Sequence, residues 1–131
     1  MTVFQACNKK IFFRKKIKKA FVLRSHPQKM GFVNRVRITT PRKPNSAKRK
    51  TVRVYYYHFI KKSISYVPGG QHNLKRNLKV LVRGGGPRDT PGVYTSCIRG
   101  RFDLHPVFTK GKRRSIYGVK KRYRSSDFVY V

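Results

Sequence analysis

Thr51-Val52-Arg53-Val54-Tyr55-Tyr56-Tyr57-His58-Phe59 is the stretch whose reading decides the fold. Val52, Val54 and Tyr56 fall on one face of an extended chain, and Arg53, Tyr55 and Tyr57 fall on the other. That period of two, carried by β-branched and aromatic residues, marks a strand with one face on a core. Working outward, residues 32–39 alternate in their second half, with Val36 and Ile38 against Arg35 and Arg37. Residues 63–67, 77–83 and 94–99 are further short runs rich in Val, Ile, Leu and Tyr, separated by turns that contain Gly or Pro. Five strands with no confident helix between them predict an all-β protein, a small five-stranded barrel of the OB-fold kind.

The flanks read differently. Residues 1–30 form a long basic N-terminal extension without acidic residues or strand alternation, residues 31–108 hold the barrel, and residues 109–131 are a basic C-terminal tail. Within the extension, Phe13, Ile17, Ala20 and Phe21 fall at helical spacing, compatible with a short amphipathic helix over residues 12–21. That composition suits an import presequence, a membrane-surface helix or an RNA-threading arm that orders on binding.

Charge narrows the partner. The chain of 131 residues carries 34 Lys and Arg against 3 acidic residues, a formal charge of +31. Cations occur in every segment rather than on one helix or one tail, the distribution expected of a protein surrounded by folded RNA. A protein that docks by a single patch needs only that patch. No apolar run approaches the roughly 20 residues needed to cross a bilayer, and no secretory signal core is present, so a soluble, non-secreted protein is expected. Cys7 and Cys97 belong to no metal-ligand pair and read as reduced, structural thiols.

The segment Thr39-Thr40-Pro41-Arg42-Lys43-Pro44-Asn45-Ser46-Ala47-Lys48-Arg49-Lys50 is the most telling for function. Pro41 and Pro44 fix their own φ and disfavour helix at Thr40 and Lys43, so the loop is stiff. Asn45 offers an amide donor and acceptor and Ser46 a hydroxyl, groups suited to a nucleic-acid groove. Arg42, Lys43, Lys48, Arg49 and Lys50 can neutralise phosphates around them. Two glycine-containing loops follow, Val67-Pro68-Gly69-Gly70-Gln71-His72-Asn73-Leu74 and Arg83-Gly84-Gly85-Gly86-Pro87-Arg88-Asp89-Thr90-Pro91-Gly92-Val93. Among so many cations, Asp89 is expected to have a lowered pKa and to orient a neighbouring Arg or Lys, either as a structural ion pair or at an RNA-facing loop. His72 is either polar loop surface or a contact to RNA or a passing protein factor. Tyr55, Tyr57 and Phe59 either pack or stack on bases.

Catalysis lacks its reagents. Asp89, Asp103 and Asp127 are the only carboxylates, too few and too scattered for a two-metal nuclease, and His26, His58, His72 and His105 show no zinc spacing. Gly84-Gly85-Gly86 is not followed by the Gly-Lys-Ser/Thr ending of a mononucleotide loop. No enzyme activity, metal or cofactor is expected.

Taken together, the loops at 39–50, 68–74 and 81–93 resemble the universal ribosomal protein S12 (uS12) family of the small subunit. Pro27-Gln28-Lys29, Arg99-Gly100 and Arg114-Ser115-Ile116-Tyr117-Gly118-Val119-Lys120-Lys121 extend the likeness over residues 27–122. The resemblance implies an OB-fold at the decoding centre, with the N-terminal arm threading rRNA. It places Lys43, Pro44, Asn45 and Ser46 beside the codon–anticodon helix and the RNA that inspects it, with Lys43 at the site of streptomycin-resistance changes. Arg88, Asp89 and Pro91 match the second accuracy loop, and His72 matches a histidine facing the bound elongation factor. Arg42, Lys48, Arg49, Lys50, Arg113, Arg114, Lys120 and Lys121 are expected on rRNA phosphates. Implied partners are small-subunit rRNA, the mRNA–tRNA helix at the A site, neighbouring small-subunit proteins and, transiently, elongation factors; no membrane is implied. Departures occur at Lys48, at Gly86-Pro87 in place of a basic–apolar pair, at residues 68–71, at Tyr55-Tyr56-Tyr57 and in the ending 122–131. This drift toward Lys, Tyr, Phe and Ile suits an AT-rich organellar genome, and a mitochondrial, organelle-encoded ribosomal protein is expected. A free OB-fold RNA chaperone and a cationic membrane-active protein are the rival readings.

A charge of +31 repels itself in any compact state. The RNA-free chain is therefore expected to be poorly folded at low salt, and its RNA affinity to fall steeply as salt rises. A cooperative thermal transition without RNA, or a flat salt dependence in a binding titration, would contradict these expectations.

Overall fold

The computed structural model describes residues 22–23, 26–57 and 59–121, with the side chains of residues 59–61 left aside. The amphipathic stretch at 12–21, Cys7, His58, Asp127 and the ending 122–131 lie outside the described residues. Five strands appear in chain order: β1 (Gln28–Thr39), β2 (Arg49–Tyr56), β3 (Phe59–Tyr66), β4 (Lys79–Gly84) and β5 (Thr95–Cys97). A single helical turn, α1 (Arg114–Tyr117), follows.

The strands close into a barrel in the order β1-β2-β3-β5-β4, the arrangement of an OB-fold. All neighbours are antiparallel except β3 and β5, which run parallel. Closure depends on the length of β1. Its first part, from Gln28 to Phe32, pairs with β4, and its second, from Phe32 to Thr39, pairs with β2. One long strand thus joins both edges of the sheet.

Where β1 passes from one neighbour to the other, it runs hard against β2. A Cβ on Gly31 would lie 2.5 Å from Val54 Cγ1 and 2.8 Å from the Tyr55 carbonyl oxygen. Glycine is required there by close approach. Just beyond, the register shifts between Val33 and Arg35, a bulge that leaves Asn34 as the extra residue.

The core follows the alternation read in 51–57. Val52, Val54 and Tyr56 are buried, whereas Arg53 and Tyr57 face solvent and Tyr55 is half-buried. Val33, Val67, Val80, Val82, Cys97 and Leu104 complete the packed interior, with Val22 and Leu74 at its margin. Buried hydroxyls are paired: Tyr56 Oη lies 2.8 Å from Ser63 Oγ, and Ser65 Oγ lies 2.7 Å from Thr95 Oγ1. Burial pushes the Cys97 thiol up to about 12, so this cysteine is a small core residue rather than a reactive group.

The strand bounds differ from the pattern reading, most at the starts of β1 and β3. β1 starts at Gln28, upstream of Gly31, because its first residues pair with β4 although they are too polar to signal a strand. β3 starts at Phe59, so the β2–β3 turn takes residues that alternation assigned to β2. Ile38 is 65% exposed, since the end of the β1–β2 hairpin runs past the barrel and has no core beneath it. The segment after β5 is also more ordered than its composition suggests. Arg101 bridges to Leu104, and Val107 N–H donates to Tyr117 O at 3.0 Å, folding α1 back onto the barrel.

Replacing Gly31 with Val forces Val54 or the β2 backbone to move. A loss of about 1–3 kcal/mol is expected for overpacking of this kind. It is measurable as a lower melting temperature of the RNA-bound chain, and an unchanged melt would show that the strand crossing is looser than described.

Candidate nucleic-acid interface

The barrel brings two loops distant in sequence to one rim. The first, residues 40–48, leaves β1 and returns into β2; the second, residues 85–94, joins β4 to β5. Pro41 is buried and roots the first loop, while Arg42, Lys43, Pro44, Asn45, Ser46, Ala47 and Lys48 are all exposed. Asn45 N–H donates to Arg42 O at 3.1 Å, which turns the tip between the two prolines. The Lys43–Pro44 peptide is cis.

Asp89 holds the loops together. Its carbonyl oxygen accepts from Arg42 N–H at 2.9 Å. Its Oδ2 accepts from Arg49 Nη2 at 2.8 Å, from Arg49 Nε at 3.3 Å and, more weakly, from Asn45 Nδ2 at 3.4 Å. The Asp89 side chain is only 12% exposed and that of Arg49 34%, so water screens the pair incompletely. The carboxyl is held below the usual carboxylate range, chiefly by the hydrogen bond from Arg49 and opposed by desolvation. Arg49 is correspondingly pushed up by Asp89. The lowered pKa and the cationic partner expected for Asp89 are both present, with Arg49 as that partner. Asp89 Oδ1 is buried without a hydrogen-bond partner.

Arg42, Lys43, Pro44, Asn45, Arg88 and Asp89 line one hollow of about 340 Å³ between the loops. Arg88 also borders a second hollow, with Pro91 and Tyr94, lined by the second loop. That loop is narrow: a Cβ on Gly86 would lie 2.0 Å from the Val93 carbonyl oxygen. Of the residues singled out in the sequence, Lys43, Pro44, Asn45, Arg88 and Asp89 are therefore brought together. Ser46 and Lys48 share the first loop's exposed tip, and Lys50 is half-buried in β2. Arg113, Arg114, Lys120 and Lys121 are exposed around α1, which belongs to neither loop.

His72 lies on another loop, half-buried, with Nδ1 accepting from Leu74 N–H at 3.2 Å. Desolvation, then Lys50 and Arg99, lower its pKa, which favours the neutral imidazole with its proton on Nε2. Arg99, 4% exposed, anchors this loop from below. Its Nε donates to Pro68 O at 2.7 Å, Nη2 to Gln71 O at 2.5 Å and Nη1 to His105 O at 3.1 Å. Three carbonyl dipoles take the place of a carboxylate for this buried cation. Asn73 braces the loop's other side, donating to Asp103 O at 2.7 Å and accepting from His105 N–H at 3.2 Å. Reading residues as site candidates missed Arg99. Nothing but its neighbour Gly100 distinguishes it from the other cations, and only the fold shows that it is buried.

Among the described residues, no cluster of three or more His, Cys, Asp or Glu side chains could hold a metal ion. What the rim offers is fixed donors and cations at loop tips, suited to phosphates and base edges. Because the folded pKa of Asp89 lies below its ordinary 3.8, the tie to Arg49 contributes fully above that ordinary value and is lost as pH falls through the lowered one. A carboxyl NMR titration of the RNA-bound chain is expected to give a midpoint below 3.8, moving back up in Arg49→Leu. A midpoint at or above 3.8 in the unaltered chain would remove the ion pair from the loop.

Comparison with known proteins places this geometry in a lineage. The profile of the ribosomal protein S12/S23 family matches residues 16–125. The small ribosomal subunit protein uS12m of Paramecium tetraurelia is 50% identical over 95 residues, which cover 72% of this chain and 68% of that relative. The chain belongs to the ribosomal protein S12/S23 family, and is a structural constituent of the ribosome rather than an enzyme.

Proposed function

We propose that this protein binds small-subunit rRNA at the decoding centre and supports accurate codon–anticodon selection. The observation that carries the reading is the tie through Asp89, which makes a rigid unit of the Pro-Asn-Ser loop and the Arg88–Asp89 loop. In this reading Pro44, Asn45 and Ser46 lie at the inspected codon–anticodon helix, with Arg88 and Pro91 beside them. Lys43 meets an rRNA phosphate. Arg42, Lys48, Lys50, Arg113, Arg114, Lys120 and Lys121 meet further phosphates, and Arg49 serves first as the partner of Asp89.

Discrimination then follows from hydrogen-bond accounting. A correct pair completes bonds with the inspecting RNA, whose position the rigid rim maintains. A mispair leaves buried polar groups unmatched, at a cost of about 1–3 kcal/mol each. The protein contributes stiffness and positive charge rather than base readout by itself.

The residues before β1 act as the RNA-threading extension in this proposal, with the barrel starting at Gln28 rather than at residue 31 and residues 109–131 serving as a second RNA-binding segment. The braced loop carrying His72 faces elongation factors as they pass. The Paramecium relative supports placing the protein in a mitochondrial small subunit, and the Lys-, Tyr- and Phe-rich drift supports an organellar gene.

Lys43→Thr is expected to change misreading frequency or streptomycin response while leaving sedimentation with small subunits intact. Assembled ribosomes with unchanged error frequency and drug response would count against the decoding role. A protein found only at the top of the gradient would remove the ribosomal placement itself.

A further inference from the structure

Away from the two loops, the barrel carries a second cleft that the decoding reading does not use. It has a volume of about 450 Å³ and is bordered by Asn34, Tyr55, Tyr57, Lys62, Arg76 and Asn77. Four elements build it. Asn34 is the bulged residue of β1, Tyr55 lies near the end of β2 with Tyr57 in the turn just after it, Lys62 is on β3, and Arg76 and Asn77 form the turn before β4. Asn77 N–H donates to Val33 O at 2.7 Å, and Val33 N–H to Leu78 O at 2.9 Å, pinning that turn against the bulge.

The aromatic wall is preset. Tyr55 is held from behind by Phe32, its cross-strand partner, with ring centroids 5.4 Å apart and planes within 24°. Tyr57 is 86% exposed. It also borders a neighbouring hollow shared with Met30 and Phe32. A tyrosine between two hollows offers a planar surface at the mouth of a cleft of ligand size.

We propose that this cleft binds an unpaired RNA nucleotide, its base stacked on Tyr57 or Tyr55 and its phosphates met by Lys62 and Arg76. Planar faces, two cations and the amides of Asn34 and Asn77 match the three parts of a nucleotide: the base plane, the phosphate and the base edge. A protein partner fits less well, because the described surface around the cleft is cationic and the whole chain carries +31. The inference rests on the ribosomal reading only for the source of the RNA, an unpaired rRNA nucleotide in the assembled subunit.

Ultraviolet crosslinking of native particles, followed by peptide mass spectrometry, tests it. The peptide containing residues 55–57 is expected to carry a ribonucleotide. In particles assembled with Tyr57→Ala, crosslink yield at this peptide should fall about tenfold, and one rRNA base should gain chemical reactivity. Tyr57→Phe, which keeps the ring, should preserve both readouts, and Arg76→Ala should lower the yield in a chain whose aromatic wall is intact. Recovery of the 55–57 peptide without RNA, while the 42–50 loop is crosslinked, would overturn the cleft assignment. So would a crosslink from Tyr57 to another protein or to another segment of this chain. If the nucleotide is found on 55–57 in particles that are not small subunits, the cleft stands and the ribosomal placement falls.

Discussion

Mutual repulsion among 34 cations is the condition under which everything else in this molecule has to form. At ordinary ionic strength, charges interact over about 8 Å, so neighbours across a small barrel feel one another. The chain has three carboxylates with which to answer. Each of the two in the described region is used where a backbone must be held. Asp89 joins two loops, and Asp103 Oδ2 accepts from Lys79 N–H at 2.7 Å, fixing the start of β4. Elsewhere the fold relies on neutral acceptors, most clearly around Arg99, whose guanidinium is satisfied by carbonyls alone. Interior packing is almost free of charge, so repulsion is confined to a surface that RNA can neutralise.

Strand content was legible because β2 announces itself. Val52, Val54 and Tyr56 alternate with polar or exposed neighbours over enough residues to leave no helical reading, and burial follows that alternation. The start of β1 and the exposure near its end were not legible, for opposite reasons, although its last residue was. Gln28 and Lys29 are strand by virtue of pairing with β4, a long-range fact that local composition does not carry. Ile38 keeps the apolar rhythm after the core has ended, since alternation records the pleat and not what lies beneath it.

The candidate site was legible as residues and illegible as geometry. Composition marked Asp89 as a carboxylate in need of a cation, and stiffness marked the Pro-flanked loop. Which of the many cations would answer Asp89 depended on barrel closure, which carries Arg49 at the start of β2 to the loop after β4. Arg99 posed the harder problem. A buried arginine without a carboxylate has no sequence signature, because its partners are main-chain oxygens contributed by any residue type. α1 escaped notice for the same reason: it is a single turn, with Arg113 and Gly118 at its ends in left-handed conformations.

The tight pass of Gly86 beside Val93 makes the two sides of the second loop one unit. Every residue but glycine would place a Cβ against the Val93 carbonyl oxygen. A side chain at position 86 is therefore excluded while the loop keeps its present path. Substitution there would have to be matched by a shift of the Val93–Tyr94 backbone, which leads the chain into β5. Chimaeras with relatives would have to exchange the whole turn from Gly85 to Tyr94 as one cassette.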